Sequence, residues 1–216
     1  VMGDALAMAV LEARGFTQHY QSGVASGSGA TVEPGVTYRD VAIDPEHRTV
    51  TLLRPLVLDL GGVAKGLAVD LAASALRGYR NFVVDAGGDL FLGGLNAEGE
   101  PWRVGIRHPR REGQTIAMLR VSERAVCTSG DYERRSGTDG HSHLMDARTS
   151  EPARAAISAT VLAPTAIVAD AFATAAFVLG PVDGIRFLAD HDVEGLIVDA
   201  SLGEHVTPHF DQVRVS

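Results

Sequence analysis

The stretch LDLGGVAKGLAVDLAASAL, residues 58–76, constrains this chain more than any other part of it. A hydrophobic run ends in Gly61 and Gly62, Lys65 follows, and an alanine-rich segment takes up helical spacing. Leu67, Leu71 and Ala75 then share one face at i, i+4 and i+8. The pattern is a strand feeding a helix through a turn cleared of side chains. Glycines let the backbone approach a ligand and leave N–H groups free at the helix start, where the dipole favours anions. Lys65 adds a point charge that suits phosphate oxygens. The bland alternative is a plain glycine turn with a surface lysine. Leu67 follows the Lys65-Gly66 pair, so the Gly-Lys-Ser/Thr of a P-loop is absent, and glycines at 61, 62 and 66 do not make Gly-x-Gly-x-x-Gly.

Around that turn the chain alternates strands and helices without a repeat or a domain linker. A short helix is expected over residues 4–14, and a flexible Ser/Gly-rich loop over 21–37. Alternation around Asp44-Pro45 predicts a hairpin leading into the glycine turn. NFVVDAGGDLFLGG reads as two strands joined at Gly87-Gly88, and PWRVGIRHP, TIAMLRVS, SATVLAP and GLIVDA as further strands. AIVADAFATAAFVLG reads as a helix stopped by Gly180 and Pro181, with a last helix near 181–190. Meandering strands with a few packed helices make the expected class α+β, mostly antiparallel, in one domain over 1–216.

With 216 residues, 45% of them hydrophobic, the chain can bury a core of its own. A net charge of −8 argues against a nucleic-acid or anionic-membrane surface. An anionic ligand must then be held by local devices such as helix N-termini, a few cations or a metal. One cysteine, Cys127, excludes an internal disulfide, and no apolar run approaches the roughly 20 residues that span a bilayer. The chain opens without an initiator methionine inside a helical pattern, so an upstream segment is expected.

Three further constellations carry chemistry-bearing side chains. Asp170 and Thr174 lie four apart on the alanine-rich helix and share a face. Hard oxygens in such small number suit Mg²⁺ with substrate phosphates, unless Asp170 only starts the helix and Thr174 bonds back to a carbonyl. GHSHLMDARTSEP carries His141, His143 and Asp146. His143 is either a general base, its pKa lying near working pH, or a loop histidine bonded to Asp146. His141 reads as solvent-facing. In VCTSGDYERR, Thr128, Ser129 and Gly130 either donate to an anion or cap a helix beginning at Asp131, capping being the preferred reading. Cys127 reads as a small buried residue, and Arg107, Arg110 and Arg111 as an exposed loop.

Taken together and in order, LDLGGVAKGLAVD, VDAGGDLFLGG, VCTSGDYERR, HSHLMDARTSEPA and SATVLAPTAIVADAFATAAFVLG resemble the ApbE family of FAD:protein FMN transferases. The resemblance runs from about Tyr38 to the C-terminus. It implies an ApbE-like, T-fold-related architecture. It also implies transfer of FMN from FAD to a Thr or Ser hydroxyl of an acceptor protein, with release of AMP. By the same resemblance, Mg²⁺ falls to the Gly62 carbonyl, Asp170 and Thr174, and FAD contacts to Asp59, Lys65 and the backbone beside Leu144. His143 takes the place of the base that deprotonates the acceptor hydroxyl. Asp146-Ala147 stands where the family motif has Asp-Pro, and Thr17 where its N-terminal loop has aspartate. Family members carry about a hundred further residues upstream, so the chain is expected to lack that segment. Relatives are often exported and membrane-anchored as lipoproteins. Two alternatives keep the same site: a Mg²⁺-dependent FAD pyrophosphatase, and a diverged relative that binds flavin or nucleotide without turnover.

Overall fold

The first hairpin forms where the alternation places it. In a computed structural model, which describes residues 33, 35–56, 60–132, 145–146 and 151–215, β1 (Val41–Asp44) pairs antiparallel with β2 (Thr49–Leu52). The readings of residues 4–14 as a helix and of most of the Ser/Gly stretch as a loop lie outside the described residues.

Past the glycine turn comes helix α1 (Ala64–Ala75), followed by β3 (Phe82–Ala86), β4 (Asp89–Gly93), β5 (Trp102–Arg107), β6 (Thr115–Val121) and β7 (Arg124–Gly130). Two short strands, β8 (Met145–Asp146) and β9 (Glu151–Pro152), pair with each other. Then come β10 (Ala156–Ala163), helix α2 (Ala166–Ala189), β11 (Glu194–Asp199), β12 (Glu204–Val206) and β13 (Arg214–Val215). A six-stranded sheet has the order β12-β11-β10-β7-β4-β3, and a three-stranded sheet the order β13-β6-β5, with antiparallel neighbours throughout. The expected α+β, mostly antiparallel class is what the chain adopts.

The larger sheet is sandwiched. Its Ala125, Cys127, Ala159, Val161 and Ile197 face α1 and α2, while Leu92, Val126, Leu162, Leu196 and Val198 face the smaller sheet. With both faces covered, every residue of β10 is buried. Each fully buried Leu or Val contributes about 1.5–3 kcal/mol by leaving water, which makes this sandwich the main source of stability.

The helices meet the sheet through small residues. In α1 the buried positions are Gly66, Val69 and Ala73, not the stripe of Leu67, Leu71 and Ala75, and Leu71 is 56% exposed. Close approach decides this: a Cβ on Gly66 would lie 2.4 Å from the Ala166 carbonyl oxygen and 2.8 Å from Asp170 Cβ. Only glycine fits where the two helices cross. Helix α2 breaks at Gly180, whose φ of +79° precedes Pro181, so the expected stop and restart are both present. By length and composition α2 could cross a membrane, contrary to the reading of the bare sequence, yet here it packs in the core between α1 and the sheet.

Candidate active site

The site forms where the N-terminal turns of the two helices meet. Gly62 lies in the turn before α1, and a Cβ there would approach Thr174 Cγ2 and Oγ1 to 3.2 Å. The glycine therefore holds the turn against the threonine hydroxyl. Asp170, only 6% exposed, accepts the Gly66 N–H through Oδ2 at 2.8 Å. That bond satisfies one of the orphan donors of α1, whose N-cap Val63 supplies no side-chain acceptor. In return Asp70 of α1 accepts the Ala166 and Ile167 N–H groups at 2.8 and 2.9 Å and so caps α2, whose own N-cap Thr165 makes no side-chain bond.

Strand β7 supplies the floor. Ser129 Oγ lies 3.1 Å from Thr174 Oγ1, and Thr128 Oγ1 lies 2.9 Å from Thr160 Oγ1 on β10. This corrects the capping reading of Thr128, Ser129 and Gly130: they are strand residues that run through Gly130, and a turn follows at Asp131 and Tyr132. Arg110 is not merely an exposed loop residue, because its guanidinium holds Asp131 in a two-pronged pair at 2.7 and 2.6 Å. Hydrogen bonding to Asp131 raises the Arg110 pKa further above its ordinary value. Cys127 is fully buried as expected. Burial pushes its thiol far above the usual range, with Asp89 and Asp170 acting in the same direction, so it is no nucleophile.

Lys65, the second residue of α1, puts Nζ 3.0 Å from Asp89 Oδ2. Asp89 opens β4 and is 1% exposed. Its Oδ1 accepts the Thr128 N–H at 3.3 Å, while Oδ2 has no hydrogen bond of good geometry among the described residues. Burial pushes the Asp89 carboxyl up, and the ammonium of Lys65 offsets only part of that. Sequence reasoning passed over Asp89, although a signal existed: an acid heading the apolar run LFLGG.

Gly62 thus meets Thr174, and Gly66, beside Lys65, meets Asp170, while Ser129 adjoins Thr174 and Asp89 adjoins Lys65. Asp59, His141, His143 and Leu144 lie outside the described residues. Among the described residues no three His, Cys, Asp or Glu side chains converge. A cation here would rest on one carboxylate, a hydroxyl and backbone oxygens, a hard donor set that fits Mg²⁺. A surface groove of about 630 Å³, lined by Asp70, Arg77, Arg80, Phe82 and Phe91, opens toward the other end of α1. Neither Lys65 nor Thr174 lines it, so this groove is separate from the site.

The fold and these groups define an α+β protein with an oxygen-rich, part-buried site at the crossing of two helices. Residues 4–197 match the model of the ApbE family, upstream of the Tyr38 limit of the motifs, and the chain belongs to that family. An FAD:protein FMN transferase of Vibrio cholerae serotype O1 is 34% identical over 164 residues, 72% of this chain and 49% of the relative. One from Rhodobacter capsulatus is 40% identical over 154 residues, 69% of this chain and 29% of the relative. The chain therefore spans about half or less of the length of these curated relatives. The crystal structure of the ApbE protein from Thermotoga maritima aligns with all of this chain and 72% of its own. Its TM-score is 0.77 and its identity 31%.

Proposed function

We propose that this chain moves FMN from FAD to a Thr or Ser hydroxyl of an acceptor protein and releases AMP. The observation that supports the reading is the bond from the Gly66 N–H, beside Lys65, to Asp170 and the packing of Gly62 against Thr174, in a chain whose relatives are named for this transfer. The acceptor oxygen would form a bond to the FMN phosphorus while the pyrophosphate P–O bond to AMP breaks, and AMP leaves with the electron pair. His143, by family resemblance, would take the hydroxyl proton. Lys65 and the α1 N-terminus would bind and orient the pyrophosphate. Asp170, Thr174 and the Gly62 carbonyl would hold Mg²⁺, which when bound neutralises phosphate charge. Asp59 and the backbone at Leu144 would contact FAD. The reading also explains how a chain of net charge −8 takes an anionic substrate.

The test is incubation with FAD, Mg²⁺ and an acceptor protein, followed by a denaturing gel viewed by flavin fluorescence. Covalent flavin with stoichiometric AMP is expected, and His143→Ala should abolish transfer while leaving FAD affinity intact. FMN and AMP without covalent flavin would replace the transferase by a pyrophosphatase. FAD binding without turnover would leave a flavin-binding relative.

A further inference from the structure

We propose that Asp89 is a positioning residue for Lys65, a buried anchor that fixes the ammonium at the turn where the anionic ligand docks. The proposal rests on the reading of Lys65 as a ligand-phosphate group and adds a residue to that site.

Three observations carry it. Asp89 is almost wholly buried, with its Oδ2 aimed at Lys65 Nζ 3.0 Å away and no other hydrogen bond on that oxygen among the described residues. The Lys65 side chain is 34% exposed, so it is part-accessible while Asp89 holds its nitrogen from the buried side. Lys65 is also the only lysine in the chain: the other 18 of the 19 basic residues are arginines. A chain that meets every other need for positive charge with a guanidinium keeps a single ammonium here. An ammonium is a compact point charge that can sit between a buried carboxylate and a ligand oxygen, where a planar guanidinium fork could not.

The carboxylate does not recommend itself as a device for stability. A buried ion pair costs more in desolvation than it returns unless its geometry is excellent and its oxygens are otherwise bonded, and Asp89 meets only half of that condition. A residue kept on such terms is expected to act through its partner.

Because Lys65 is the sole lysine, its accessibility can be read without any ligand. In the purified chain, Asp89→Asn should make Lys65 react several-fold faster with an amine-acetylating reagent, followed by peptide mass spectrometry, at a melting temperature no lower than that of the wild type. An unchanged rate would overturn the anchor. The second arm is a double-mutant cycle on FAD affinity. Asp89→Asn should weaken FAD about tenfold in the wild-type background and not further once Lys65→Met is present, the coupling expected of two residues acting as one. Equal loss in both backgrounds would show that Asp89 acts on the fold at large and would overturn the proposal. If the wild-type chain binds no FAD, the proposed function fails, and the acetylation arm still decides the anchor. Lys65→Arg, which keeps the charge, should not restore the affinity.

Discussion

On one side of the six-stranded sheet, Leu92, Leu119, Leu162, Leu196, Val198 and Phe210 interlock as large apolar side chains. On the other, Ala125, Ala159, Ala166, Ala169 and Ala173 let helices come close, Asp70 and Asp170 accept helix N–H groups, and Asp89 pairs with Lys65. The first face resembles a simple oil-filled interior. The second trades side-chain bulk for backbone proximity, which brings peptide N–H groups within reach of buried carboxylates. Stability and chemistry are divided between the two faces.

Truncation on the apolar face should give the largest effect. Phe210 is fully buried, and Phe210→Ala should cost about 3–5 kcal/mol in urea unfolding, while FAD affinity of the folded fraction stays unchanged. Gly66→Ala comes next. Its Cβ meets backbone at 2.4 Å, so the helices must part, at about 1–3 kcal/mol despite the intrinsic helix preference for alanine. Unlike the Phe210 change, it should also lose FAD binding in titration calorimetry. Asp70→Ala removes the cap on two α2 donors and should cost about 1–2 kcal/mol by thermal melting, with Asp70→Asn recovering part.

The smallest effect is expected at Asp89 and depends on pH. Burial holds its carboxyl above the ordinary 3.8, so the folded state binds its proton more readily than the unfolded chain does. This group's contribution is fully present below that ordinary value and is lost as pH rises through the folded one. Asp89→Asn removes the dependence. The variant should melt no lower than the wild type at pH 7, and any gap should close below pH 4. A wild type that gains on the variant as pH rises would reverse the sign.

Much of this was readable from local pattern. The Asp44-Pro45 hairpin, the β3–β4 pair and the stop at Gly180-Pro181 follow from turn residues and alternation, which act over a few positions. Lys65, Asp170 and Thr174 stood out because polar groups on small-residue helices need a reason. What escaped depends on neighbours distant in sequence. The buried face of α1 is chosen by where α2 crosses it, so Gly66 and Ala73 outrank Leu71. Thr128 and Ser129 look like caps because their hydroxyls precede a glycine, yet pairing with β10 makes them a strand. Asp89 follows two glycines, as many exposed turn acids do, and only the sheet reveals that it is covered.

The crossed caps carry one more implication. Each helix has its first turn closed by a carboxylate borrowed from the other: Asp170 for α1, Asp70 for α2. Neither has a side-chain lid of its own. The two helices are therefore one cooperative unit assembled from distant parts of the chain, and neither should persist alone. A peptide containing either should be frayed at its N-terminus in isolation, and in native-state hydrogen exchange the amides of Gly66, Ala166 and Ile167 should open together, in a single event.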